Sequence, residues 1–226
     1  MKRSEINEAL KVMERKIDEC CFKLPPFCRF TPAQWKSAGC EYEEVKDNML
    51  GWDITDFGSG DFKKIGFSAL TIRNGNVRMP EKYSKTYAEK LLYMQPGQKL
   101  PMHFHWKKME DIINRGGGNV LIRVYKAAED ESLSGEDVQV SSDGRNYMVP
   151  AGTQIKLTPG ESISLYPYTY HDFTVEKDTG DVLLGEVSMC NDDENDNRFL
   201  ETRGRFAEIE EDEAPYRLLC NEYPEW

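Results

Sequence analysis

The sequence predicts an all-β core, folded as an antiparallel sandwich or barrel, with helices ahead of it and a wrapping tail behind. Three observations carry this. Strand-forming runs from about residue 65 onward are short, turn pairs recur between them, and helical periodicity is confined to the N-terminal segment. Alternating βαβ units would interleave the two periodicities instead. A length of 226 residues suits one well-cored domain with terminal additions better than two domains. Residues 1–226 are therefore read as a single domain: a helical or irregular extension at 1–64, the β core at 65–190 and a C-terminal extension at 191–226.

Taken in order, Ser4 is placed to cap a helix over 4–19, where Ile6, Ala9, Leu10, Met13 and Ile17 share one face. Pro25 and Pro26 end that element. A second short helix has Thr31 as cap, Pro32 in its first turn and Gly39 as terminator. Strands are expected at Phe67–Ile72, Tyr87–Met94, Pro101–Trp106, Val120–Tyr125, Asp137–Val140, Thr153–Leu157, Ser162–Tyr166, His171–Val175 and Val182–Val187. Asn74-Gly75 signals a hairpin, and Pro96-Gly97, Asp143-Gly144 and Pro159-Gly160 mark further turns. Gly116-Gly117-Gly118 lacks the strand-to-helix context of a phosphate loop and reads as a tight turn between strands. In the acidic tail, Arg205–Glu211 is a candidate helical turn.

The 29 basic and 40 acidic residues give a formal charge of −11, which opposes nonspecific contact with nucleic acid or anionic lipid. A small neutral substrate such as a sugar is compatible with that field. No apolar run approaches the roughly 20 residues needed to span a bilayer. The first ten residues are interrupted by Glu5, Asn7 and Glu8, so no signal peptide is read there and a cytoplasmic protein is expected. Its six cysteines show neither CxxC pairing nor a small-domain disulfide rhythm and are expected as free thiols.

The chain has three histidines, and two of them are His103 and His105. Residues two apart on a strand face the same side, so both imidazoles can converge on one ion. Alone, His-x-His is equally the signature of two solvated side chains. Glu110 is out of step with the pair and joins it only if the chain turns or bulges within Trp106–Met109. His171 follows Pro167, which suggests a turn feeding a strand. Three imidazoles and a carboxylate form a mixed nitrogen–oxygen set that suits Mn, Fe, Co, Ni or Zn and poorly suits calcium.

The run from Gly97 to Gly117, GQKLPMHFHWKKMEDIINRGG, resembles the first cupin motif, G(x)5HxH(x)4E(x)6G, at every fixed position. The second motif is partial. Gly160, Pro167 and His171 are recognisable, but six residues separate the first two, three separate Pro167 from His171, and Val175 stands where Asn is usual. The resemblance implies a cupin jelly-roll sandwich with one ion held by His103, His105, Glu110 and His171. A fold resemblance does not fix a reaction. Across its full length, from MKRSEINEAL through WDITDFGSGDF to the C-terminus, the chain resembles the bacterial D-lyxose isomerases of the longer, enterobacterial-like type. That resemblance implies interconversion of D-lyxose with D-xylulose and of D-mannose with D-fructose, dependence on Mn2+, and a homodimer.

Moving a carbonyl between C1 and C2 requires a base and a group that offsets enediolate charge. Candidates for catalysis are Glu110, Lys108 and Glu186; candidates for substrate contact are Lys90, Trp106, Tyr168 and Arg205. Each lysine also reads as a solvated surface charge, and the aromatic residues as packing groups. Asp172 alternates with His171 and should point away from the ion. Glu201, Arg203 and Arg205 could close the pocket from the tail, or form an exposed charged stretch. Asp192–Asn197 lacks the Gly and Glu of a calcium loop, with Asn197 and Arg203 in those places, and reads as a solvated acidic loop. A cupin oxygenase and a non-catalytic sugar-binding cupin are the alternative functions.

Overall fold

In a computed structural model, residues 1–193, 195–201, 204 and 208–225 are described. Helices α1 (Arg3–Glu19), α2 (Pro32–Ser37) and α3 (Glu43–Asp47) precede the strands. These are β1 (Gly51–Thr55), β2 (Phe67–Arg73), β3 (Tyr87–Met94), β4 (Lys99–Phe104), β5 (Glu110–Gly117), β6 (Val120–Lys126) and β7 (Val138–Ser142). They continue as β8 (Arg145–Val149), β9 (Gln154–Leu157), β10 (Ser162–Leu165), β11 (Thr169–Val175), β12 (Val182–Met189) and β13 (Arg198–Phe199). Two antiparallel sheets result, a large one ordered β1-β2-β3-β12-β5-β10-β7-β8 and a small one ordered β13-β4-β11-β6-β9.

The core lies between the sheets. Leu92, Ile112, Ile163 and Leu184 from the large sheet pack against Leu100, Ile122, Val124 and Phe173 from the small one. Neighbouring residues of the large sheet face the other way: Leu70, Leu91, Tyr93 and Leu183 are covered by Ile6, Leu10, Met13 and Ile17 of α1. Burial on both faces explains why Leu91–Met94 of β3 and Val182–Leu184 of β12 read as continuous apolar runs. The tail fastens α1 from outside. Asn7 Nδ2 donates to the Ala214 carbonyl (2.9 Å), and Glu14 accepts from the Tyr216 hydroxyl (2.7 Å) and Arg217 Nε (3.0 Å).

Several elements depart from expectation. Ser4 lies inside α1; its hydroxyl donates to Asp212, and Glu5 reaches back to the Lys2 N–H to close the first turn. Thr31 caps α2 as expected, accepting from the Gln34 N–H, but α2 stops before Gly39. The strands β1, β5, β8 and β13 were outside the expected set. Gly51–Thr55 pairs with β2 at the sheet edge, and Glu110–Gly117 mixes charged and small residues that obscure its alternation. Asn74-Gly75 is no tight hairpin. Residues 74–86 form a long connection in which the Asn74 amide donates to the Asn48 and Asn191 carbonyls. Asp143-Gly144 is a two-residue hairpin turn, both residues having positive φ as a type I′ turn requires. Pro96-Gly97 and Pro159-Gly160 carry the chain from one sheet to the other. Gly117, at φ +93, ends the first motif where a Cβ would overlap the Asp181 carbonyl. The candidate helical turn at Arg205–Glu211 begins outside the described residues.

Candidate metal centre and active-site pocket

The site is assembled from both sheets. On the small sheet, His103 of β4 lies directly opposite His171 of β11, their ring centroids 4.2 Å apart. His105 follows the end of β4. The ligand-capable nitrogens of the three histidines all lie within 4.8 Å of one another. Between Trp106 and Met109 the chain crosses to the facing sheet, the turn that Glu110 needs to join the pair. Glu110, first residue of β5, places Oε1 3.2 Å from His171 Nε2 and Oε2 3.6 Å from His105 Nε2. The second motif closes despite its missing residue because Tyr168 adopts the left-handed backbone (φ +61), and its N–H donates to the His105 carbonyl at 2.9 Å.

Each imidazole is oriented through its far nitrogen. His103 Nδ1 donates to the Pro101 carbonyl and His171 Nδ1 to the Thr169 carbonyl, both at 2.9 Å. His105 Nδ1 donates to the Asp196 carbonyl at 2.6 Å. Carbonyls only accept, so each Nδ1 carries a proton and Nε2 is the nitrogen left to face the other site residues. His105 Nε2 and His171 Nε2 are buried with no hydrogen-bond partner among the described residues. Burial, followed by its neighbours His171 and His105, pushes the His103 pKa well below the usual histidine value. Three imidazoles grouped this closely could hold a divalent ion, and the Glu110 carboxylate lies against two of them. The residues fit the ion.

Two lysines expected at the surface or in the site lie in the site. Lys108 is 4% exposed, with Nζ 2.7 Å from Glu110 Oε2 and 3.0 Å from Glu186 Oε1. Burial pulls the Lys108 pKa down, but Glu110 and Glu186 outweigh it and hold the ammonium above its ordinary value. Burial raises the Glu110 carboxyl, yet Lys108 and His105 keep it well below the usual carboxylate range. Lys90 of β3 stands opposite Glu186 of β12 in the ladder, with Nζ 4.0 Å from Glu186 Oε1. The Ser188 hydroxyl also donates to Glu186 Oε1, at 3.0 Å. Lys90, Lys108, Glu110 and Glu186 line one cavity with His103 and His105.

Trp106 and Tyr168 do not line this cavity. The Trp106 indole N–H is committed to Glu131 Oε1 (2.9 Å), and the Tyr168 ring stacks on Phe104 on the outer side of β4. Arg205, like Arg203, lies outside the described residues. Glu201 lines a separate cavity with Lys99, Arg123 and Asp172 on the outer face of the small sheet. Asp172 points away from the histidines, as alternation requires, with its carboxylate 2.8 Å from Lys99 Nζ. Sequence reasoning missed the apolar wall, Phe57, Phe67, Phe173 and Phe199, and the polar rim, Asn191, Asp193 and Asn197. The aromatic residues carry no local signal separating pocket from core. The acidic run was visible but read as solvated, whereas Asp196 within it is buried.

Fold and donor set together define a cupin-type protein with a buried histidine–carboxylate centre. Residues 1–223 match the profile of one particular family, described as D-lyxose isomerase. The chain belongs to the D-lyxose isomerase family. It is 47% identical over 225 residues to the D-lyxose/D-mannose isomerase of Escherichia coli O157:H7, covering 99% of this chain and 98% of the relative. The D-lyxose/D-mannose isomerase of Serratia proteamaculans is 46% identical over 224 residues, at the same coverage. Among solved structures, the L-ribose isomerase of Cellulomonas parahominis with L-ribose superposes at a TM-score of 0.60 with 16% identity, covering 93% of this chain and 98% of that one. That likeness is one of fold.

Proposed function

We propose that the chain is a metal-dependent aldose–ketose isomerase that interconverts D-lyxose with D-xylulose and D-mannose with D-fructose. The observation that carries the reading is one cavity lined by His103, His105 and Glu110, with His171 grouped against them, beside the buried Lys108–Glu186 pair. The near-full-length relatives support the choice of sugars. His103, His105, His171 and Glu110 would hold a divalent ion, which would supply positive charge to offset that of an enediolate. Mn2+ is the ion proposed; the same donors accept Co2+, Zn2+, Fe2+ or Ni2+.

Glu186 is the proposed proton carrier. Its Oε1 is held by Lys108 and Ser188, while Oε2 makes no hydrogen bond among the described residues. It takes the proton from one carbon and returns it to the other on the same face, through a cis-enediol. Lys108 orients Glu186 and balances the charge of the two carboxylates, and Lys90 donates to substrate hydroxyls. Phe57, Phe67 and Phe199 exclude water. The six free thiols support a reducing cytoplasmic setting. Tyr87, Val187 and Met189, exposed on one face of β3 and β12, support a homodimer, which sedimentation of the purified protein tests.

The decisive experiment incubates chelator-stripped and Mn2+-reconstituted protein with D-lyxose and D-mannose and measures ketose without oxygen. Ketose formation restored by Mn2+ is expected. Full activity of verified metal-free protein, or turnover that consumes oxygen, overturns the proposal.

A further inference from the structure

Two of the three site histidines are oriented by their own strands, each donating to the carbonyl two residues upstream. His105 differs. Its Nδ1–H donates to the carbonyl of Asp196, 91 residues away, at 2.6 Å. The side chain of that same residue turns back to the β4–β5 connection. Asp196 Oδ1 accepts the Lys107 N–H (2.9 Å) and Oδ2 accepts the Lys108 N–H (2.8 Å). Asp196 is 7% exposed, in a loop braced internally by its own N–H donating to the Asp192 carbonyl at 2.9 Å.

The structure assigns Asp196 the role of a positioning residue that couples the His105 ring to the turn carrying Lys108. The inference rests on the isomerase reading above and deepens it. His105 stands one residue past the last paired residue of β4, so no strand register holds its ring. Residues 106–109 belong to no strand, so no ladder partner takes the Lys107 and Lys108 N–H groups. A carboxylate that accepts two adjacent N–H groups closes this turn, and the attached carbonyl fixes the imidazole tautomer. One residue therefore sets both where the His105 lone pair points and where the Lys108 ammonium meets Glu186. The acidic run thus acts as a clamp.

Asp196→Asn is the test, because the near-isosteric amide keeps the backbone carbonyl but turns an NH2 group toward one of the two N–H donors. Mn2+ affinity by chelator competition should fall about 10- to 100-fold, the range for partners that orient metal ligands. At saturating Mn2+, kcat should also stay at least about tenfold down while the KM for D-lyxose stays within about twofold, since Lys108 remains misplaced. Asp137→Asn, which removes an acidic charge at an exposed position just ahead of β7, should change neither. Loss of thermal stability alone, with affinity and kcat intact, reduces Asp196 to a structural role and overturns the inference; so does full recovery of kcat at saturating Mn2+. Histidine 15N spectra of the metal-free wild-type protein need no variant to fold. They should place the His105 proton on Nδ1, and a proton on Nε2 overturns the inference. Wild-type protein without Mn2+-dependent turnover would reject the isomerase reading, leaving metal affinity and the spectra to decide the clamp.

Discussion

Lys108 has the strongest single-residue consequence. It places one ammonium between two buried carboxylates, so Lys108→Met would leave Glu110 without its lysine partner and Glu186 with only the more distant Lys90. Breaking a buried charge network of this kind costs about 3–5 kcal/mol, and turnover should fall at least about 100-fold with general acid–base alignment lost. Urea denaturation of metal-free protein and ketose assays of the Mn2+ form measure the two effects; an unchanged kcat removes Lys108 from the reaction. His103 supplies a pH dependence of opposite origin. Burial holds its folded pKa well below that of the unfolded chain, near 6.5. Below about pH 6.5 the unfolded chain binds a proton that the folded protein refuses. Metal-free stability should therefore be full above that pH and decline as pH falls, by at most about 1.4 kcal/mol per pH unit from this residue. Urea midpoints at neutral and mildly acidic pH check it, with His103→Gln expected to flatten the slope.

Among the elements, α1 was the most legible, and β5 was among the least. Helical spacing picked out Ile6, Ala9, Leu10, Met13 and Ile17, and all five are buried against the outer face of the large sheet. Leu10 is fully buried there, so Leu10→Ala should destabilise the protein by about 2–5 kcal/mol without changing kcat at saturating metal. A substitution costing under about 0.5 kcal/mol would mean that α1 is dispensable packing. β5 escaped notice because its inward residues are Glu110, Ile112 and Asn114, of which only one is apolar. A strand that brings a ligand to a site departs from the very alternation by which strands are recognised.

For the whole molecule, the donor set joins the two sheets. His103 and His171 belong to the small sheet and Glu110 to the large one. An ion bound there ties the sandwich together and stabilises only the folded form. At a free concentration of about 1,000 times Kd it should add about 4 kcal/mol, or about 10 °C in Tm for a chain of this length. Calorimetry with and without chelator measures the shift; its absence would argue against a preformed site spanning both sheets.

The sequence by itself determined the sandwich and the N-terminal helix, and it singled out the four residues proposed as donors. Those signals are local: a period, a turn pair, or a fixed spacing such as HxH followed by Glu. His171 was legible for a different reason, since it is the one histidine left. Only the tertiary structure decided that Lys90, Lys108 and Glu186 are buried together, that Trp106 and Tyr168 face elsewhere, and that Asp196 leaves the solvent for the site. Each of those facts depends on the register between strands far apart in the chain, as where β12 sets Glu186 opposite Lys90. A charged residue in sequence carries no mark of whether such pairing will enclose it or leave it in water.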